Sequence, residues 1–191
     1  MLPAQLHLTL PPWVHEAVDP AQPFPSDGDK MALAVKLSAL NVEMRSGGPF
    51  GAAVFAPDGR VIAAGVNRVL PQSCSVAHAE TMAFMLAQQR MQRARLNENP
   101  DGSRFGPVTL AASSQPCCQC YGASVWAGID RLLIGARSED VEALTEFDEG
   151  PLPADWIGEL QRRGIEVVRD LLREDACAVL CQYGEQGGGH Y

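Results

Sequence analysis

His78-Ala79-Glu80 and Pro116-Cys117-Cys118-Gln119-Cys120 are the two fragments on which the reading of this chain turns. The second places Cys117 and Cys120 at C-x-x-C spacing, between a β-type run at 108–112 and a helix-type run at 121–127. Two thiolates so spaced at a helix start can grip one metal ion, and the helix N-terminus favours their negative charge. His78 offers a third donor. Zinc held by His78, Cys117 and Cys120 keeps its fourth tetrahedral position open, which separates a catalytic site from a closed structural one. Glu80 follows His78 closely enough to reach a water in that position without joining the ligands. C-x-x-C alone also fits a redox pair or half of a structural zinc site, for which Cys118 or Cys74 would be the nearby fourth ligand. Cys118 reads more simply as a packing residue, and Cys177 and Cys181 as small buried side chains of the last helix. His7, His15 and His190 read as surface residues.

The rest of the composition sets the frame. A length of 191 residues with 46% hydrophobic side chains predicts one domain with its own core. The 15 Lys and Arg against 23 Asp and Glu give a net charge of −8. Such a surface repels phosphate backbones, so nucleic acid is not an expected partner. The first basic residue is Lys30, there is no signal-peptide pattern, and no apolar run reaches the roughly 18 residues of a membrane span. A cytoplasmic location is expected, where the cysteines stay reduced and a tight cluster of them reads as metal or catalytic chemistry.

Residues 1–28 carry Pro3, Pro11, Pro12, Pro20, Pro23 and Pro25, which exclude a long helix or central strand and predict an extended N-terminal arm. Helical periodicity over 29–46 stops at Gly47-Gly48. Two β-type runs around Pro57-Asp58-Gly59 predict a hairpin, and 77–95, free of Gly and Pro, the longest helix. Strands at 108–112, 131–136 and 165–168 alternate with helices at 121–127, 156–163 and 173–183. That order predicts an α/β protein with its last strands parallel after an antiparallel hairpin. The catalytic core would occupy 29–170, and 171–191 a C-terminal helix and tail.

The H-x-E and P-C-x-x-C pair is similar to the signature of the cytidine deaminase superfamily, the zinc-dependent nucleobase and nucleoside deaminases. The resemblance extends over most of the chain from Lys30 to Tyr183. Within it, GGPFGAAVF (47–55), AGVNRV (64–69), WAGI (126–129) and FDEG (147–150) resemble bacterial guanine deaminases. The resemblance implies a three-layer α/β/α fold on a five-stranded mixed sheet, one catalytic Zn2+ and a homodimer. It also implies that Asn67 contacts the O6 and N7 edge of a purine base while Glu149 accepts from N1–H and the exocyclic amino group. Ala79, Phe50, Trp126 and Phe147 would be the remaining substrate contacts, the aromatic ones as walls for a planar ring. In such enzymes the C-terminal segment closes the pocket, in some members swapped between subunits. Here that segment would be 183–191, with His190 or Tyr191 reaching the substrate.

The implied reaction is hydrolytic deamination of guanine to xanthine and ammonia. Glu80 takes a proton from water and passes it to ring N3, water oxygen adds to C2, and Glu149 helps protonate the departing amino group. Two departures stand out: Gln115 where a Glu commonly precedes the Pro-Cys pair, and an extra residue before FDEG. Two other functions remain open on sequence. One is a zinc deaminase of a triazine, cytosine, a nucleoside or a tRNA adenosine; the other is a zinc-stabilised domain without turnover.

Overall fold

The computed structural model describes residues 4–189. In chain order the described residues form α1 (Trp13–Ala17), α2 (Asp27–Glu43), β1 (Gly51–Phe55), β2 (Val61–Val66), α3 (Val69–Gln72) and α4 (Ala79–Met91). There follow β3 (Thr109–Ser114), α5 (Cys118–Ala127), β4 (Arg131–Ala136), α6 (Ser138–Leu144), α7 (Trp156–Arg162), β5 (Glu166–Val168) and α8 (Arg173–Glu185). The strands make one sheet in the order β2-β1-β3-β4-β5. β1 is antiparallel to both β2 and β3, while β3, β4 and β5 are parallel, as the alternation of strands and helices predicts.

The three layers follow from the period-2 alternation of strand side chains. Ala52 and Val54 of β1 join a core with Ala83, Phe84 and Ala87 of α4, whereas Ala53 and Phe55 join one with Met31, Ala34 and Leu37 of α2. Every residue of β1, β2 and β3 is therefore buried, and these strands read as continuous apolar or small-residue runs. Gly65 of β2 lets the sheet and α4 touch: a Cβ there would lie 2.1 Å from the Ala79 carbonyl oxygen. Glycine thus seats the start of α4, where His78 and Glu80 lie, directly on the sheet.

Topology also fixes where the chemistry collects. β2 and β3 both run opposite to β1, with Gly51 paired to Val66 and Ala52 to Ala112. The residue before β1, the residue after β2 and the segment after β3 therefore share one edge of the sheet. In open α/β sheets, that carboxyl edge of the parallel strands is where sites form.

Tertiary packing departs from the sequence expectations in several places. α2 starts at Asp27, because Ser26 and Asp29 form a reciprocal cap, with Asp29 N–H donating to Ser26 Oγ at 3.0 Å and Ser26 N–H to Asp29 Oδ2 at 3.1 Å. α4 ends at Met91, not at residue 95: Gln92 takes a left-handed conformation, and the chain turns to bury Leu96 completely. Helix propensity over 92–95 is outweighed by that burial. The arm is not wholly extended, since the short α1 follows Pro12 and buries Val14 against the α2 side of the sheet. α3 and α6, too short for a periodic signal, were not expected. Among the described residues, no helix is long and apolar enough to cross a membrane.

α6 and α8 hold the loop that carries FDEG. Asp140 in the first turn of α6 accepts from the Arg137 backbone N–H at 2.8 Å and from the Arg173 guanidinium at 2.7 Å through each carboxylate oxygen. Hydrogen bonding by Arg173 holds the Asp140 carboxyl down to about 2. A depressed folded-state value means that the stabilisation is complete above the unfolded value near 3.8 and vanishes as pH falls through about 2. Asp140→Asn keeps an acceptor for the cap but loses the charge. It is expected to lower stability at pH 7 by about 1–2 kcal/mol after allowance for solvent screening. Urea midpoints measured from pH 7 to pH 2 should show that difference shrinking below pH 4; a pH-independent difference would assign the loss to packing.

Candidate active site

The C-x-x-C segment leaves β3 through Gln115 and Pro116, and Cys117 stands in an extended conformation as the residue before α5. His78 stands in the same way before α4. Two helix N-termini thus converge on one point, each with its positive dipole end toward it. The ligand atoms of His78, Cys117 and Cys120 lie within 4.8 Å of one another. His78 Nδ1 is 3.4 Å from Cys117 Sγ and 3.6 Å from Cys120 Sγ. Zinc bonds of about 2.0–2.1 Å to nitrogen and about 2.3 Å to sulfur put tetrahedral N···S separations at roughly 3.5 Å, so these donors fit one zinc ion as they stand. A hydrogen bond at the Ser75 backbone also holds the imidazole. An outer partner of this kind orients a ligating histidine.

The two thiols differ in acidity. A hydrogen bond from Cys120 brings the Cys117 thiol down to about 4, with burial opposing and His78 assisting. Cys120 goes the other way, because it donates that bond and is buried beside Glu80. Metal binding displaces the remaining proton and so couples affinity to pH. Burial pushes Glu80 up to about 7, reinforced by the Cys117 thiolate and opposed by His78. Glu149 is driven higher, to about 8, by burial first and then by Cys117 and Glu80. Two buried carboxyls with raised affinity for protons near neutral pH are what proton transfer requires.

His78, Glu80, Cys117 and Glu149 line one cavity. Asn67, just after β2, lines it as well. Asn67 is buried, and its Oδ1 accepts from the backbone N–H of Gly48 at 3.4 Å and of Val69 at 3.3 Å. Those two bonds hold the Asn67 amide by its oxygen. Phe50 and Phe147 meet edge to face at 5.1 Å, and Tyr183 of α8 stacks on Phe147 at 5.9 Å. Glu149 reaches the cavity despite the extra residue before FDEG, and its carbonyl accepts from the Cys118 backbone N–H at 3.0 Å.

A family model described as the cytidine and deoxycytidylate deaminase zinc-binding region matches residues 25–136, more than half of the chain. The chain belongs to this deaminase family. A solved guanine deaminase from Nitrosomonas europaea is 41% identical, with a TM-score of 0.88 over 97% of this chain and 99% of that one. Another solved chain, a mutant in complex with 8-azaguanine, is 40% identical, with a TM-score of 0.89 over 97% of this chain and 99% of that one. Among curated relatives, the guanine deaminase of Bacillus subtilis is 34% identical over 116 residues, 61% of this chain and 67% of that protein. The chain spans only about a quarter, 26%, of the tRNA(Ile)-lysidine synthase of Deinococcus deserti, to which it is 30% identical over 153 residues. The sheet order, the parallel strands and the metal-ligand set agree with the deaminase family, whose zinc-binding region includes His78, Cys117 and Cys120.

The structure places some expected contacts elsewhere. Trp126 lies in the last turn of α5 with 76% of its surface exposed and does not line the cavity, whereas Ala127 and Ile129 of the same motif are buried. Ala79 is buried with its carbonyl against Gly65, in the layer between α4 and β2, and among the described residues it is not a lining residue. Cys118 is exposed, and Cys177 and Cys181 are only half-buried. Tyr183 donates to the Gly189 carbonyl at 2.5 Å, so the described tail folds back along α8. His190 and Tyr191 lie outside the described residues.

Two lining residues were not expected as site residues. Asp148 flanks Glu149, and its Oδ1 accepts from the Gly150 N–H at 2.8 Å. Gln115 is buried in the cavity wall, and its Nε2 donates to Ser138 Oγ at 3.2 Å. A third carboxylate here would raise Glu80 and Glu149 still further. The neutral amide fills the position without that repulsion. The only signal in the sequence was its departure from the Glu that commonly precedes Pro-Cys.

Proposed function

We propose that this chain deaminates guanine hydrolytically, releasing xanthine and ammonia. The observation that carries the reading is a single cavity with three kinds of group around it. His78 and Cys117 of the zinc ligand set, the buried Glu80, Asn67 and the buried Glu149 all line it. Guanine presents acceptors at O6 and N7 and donors at N1 and the exocyclic amino group. An amide donor and a carboxyl oxygen satisfy those two sets, whereas adenine mismatches them. The names of the solved and curated guanine deaminases support the same reading.

When bound, zinc supplies a Lewis-acidic open position at which water is acidified. Glu80 accepts the proton from water and delivers it to ring N3, which makes C2 electrophilic toward the water oxygen. Asn67 Nδ2 holds the O6 and N7 edge, and Phe50 and Phe147 confine the ring. Glu149, whose affinity for a proton is raised by burial, accepts from N1–H and the amino group and is suited to pass a proton to the departing nitrogen as the C2–N bond breaks and the added oxygen loses its own proton to become the carbonyl. One water is consumed and one ammonia leaves.

The assignment is tested by incubating zinc-loaded protein with guanine, guanosine, adenosine, cytosine, cytidine and a triazine amine, and following ammonia. Guanine alone is expected to turn over. Turnover of cytidine with none of guanine overturns the proposal, and release from none of them returns the chain to a non-catalytic zinc domain. Transfer RNA is disfavoured by the net charge of −8. A cytoplasmic homodimer belongs to the same reading. The exposed Trp126 of α5 supplies an apolar anchor that a second copy would cover. The tail beyond Tyr183 would cap the cavity in cis or from that copy.

A further inference from the structure

Behind Asn67, away from the cavity, lies a polar cluster that the proposed chemistry does not use. Asn41 of α2 is fully buried, so both ends of its amide must be satisfied inside the protein. Its Nδ2 donates to the Gly48 carbonyl at 2.8 Å and to the Asn67 carbonyl at 3.0 Å. Its Oδ1 accepts from the Ser46 hydroxyl at 2.7 Å, and Ser46 Oγ accepts from the Trp13 indole N–H at 3.1 Å. The donors therefore run in one direction, from Trp13 through Ser46 to Asn41 and on to the backbone of Gly48 and Asn67. Arg68 also donates to the Ser46 carbonyl.

Asn41 thereby ties together the two loops that carry Phe50 and Asn67. The packing there has no slack, since a Cβ on Gly47 would lie 1.8 Å from the Asn67 carbonyl oxygen and 2.7 Å from Asn41 Nδ2. The Gly48 N–H in turn bonds Asn67 Oδ1. The two carbonyls that Asn41 grips thus belong to the same residues whose N–H and side chain orient the ligand-facing amide. Trp13 belongs to the N-terminal arm, whose other role is to cover the α2 side of the sheet.

We propose that Asn41 is a positioning residue for the purine-contacting amide of Asn67, and that Ser46 extends this relay to Trp13, making the N-terminal arm part of substrate recognition. The inference rests on the reading of Asn67 as a base contact. At partly buried positions, Trp13→Phe removes the hydrogen bond to Ser46, and Ser46→Ala removes that bond together with the one to Asn41, while most of the volume is kept. Each breaks the link to Asn41 or its support and is expected to raise KM for guanine about 3- to 10-fold, Ser46→Ala by at least as much as Trp13→Phe, with a much smaller change in kcat. Ser46→Thr, which keeps the hydroxyl, should restore KM.

In an Asn67→Ala background, Ser46→Ala should change KM no further, because the relay then has nothing left to position. Asn41→Ala should give the largest increase; if it fails to fold, the Ser46 and Trp13 variants carry the test. Should the wild-type protein deaminate a different base of the panel, the same KM series is run with that base. Unchanged KM in Ser46→Ala and Trp13→Phe, with a raised KM in Asn67→Ala, overturns the relay alone. Equal Ser46 effects with and without Asn67 overturn it too. An Asn67→Ala variant with normal KM removes Asn67 from the base and takes the relay with it.

Discussion

Glu80→Gln is expected to lower the rate of deamination by about 10²- to 10⁴-fold, the range for loss of a positioned proton carrier. Glutamine matches the size of Glu80 and preserves a polar group beside Cys120, so the buried position at the start of α4 remains filled. What it cannot do is accept a proton from water and hand it to the base. The same variant should still bind one zinc per chain, because Glu80 is not among the donors within reach of one ion. Ammonia release and zinc content measured on the same preparation decide the matter. Retained turnover would remove Glu80 from the chemistry, and loss of zinc would make it structural.

Cys120→Ala is expected to abolish turnover through the metal. Cys120 is buried in the first turn of α5, with no exposed thiol positioned to replace it in the three-donor set. With one thiolate gone, His78 and Cys117 offer zinc two donors, and its stoichiometry should fall from one per chain to below about a tenth. Chelation of the wild-type protein should reach the same inactive state and lower its melting temperature, since a ligand that binds the folded chain stabilises it. Cys118→Ala is the control: its exposed thiol lies outside the ligand set, so zinc and activity should persist. A Cys118 variant that loses zinc while Cys120→Ala keeps it would reverse the assignment of the C-x-x-C pair.

Much of this was legible in the residues, for identifiable reasons. The ligand set is written in local spacing: Cys117 and Cys120 fall in one turn at a helix start, and His78 and Glu80 at another, so short-range geometry brings each pair close. The hairpin around Pro57-Asp58-Gly59 and β4 were also readable, because turn chemistry and an apolar run act locally. The ends of α4 and the short α3 and α6 were not. Burial of Leu96 and the Asp140 contacts to Arg137 and Arg173 set those boundaries, and none is visible as periodicity. Trp126 shows the converse failure, since a motif fixes a residue's place in the chain but not the side of the helix that meets the cavity.

The sequence by itself determined the metal chemistry, the alternation that folds into a three-layer α/β sandwich, and the charge that argues against a polynucleotide. Only the tertiary structure decided which distant residues share the cavity. Asn67, Glu149 and Gln115 meet the zinc ligands because β2 and β3 end on the same edge of the sheet and the α6–α8 contact holds FDEG against it. It also turned Asn41, an unremarked amide in an amphipathic helix, into the link between Asn67 and the N-terminal arm. Hydrogen bonds between segments far apart in the chain depend on how the layers pack, and no local pattern of residues encodes that.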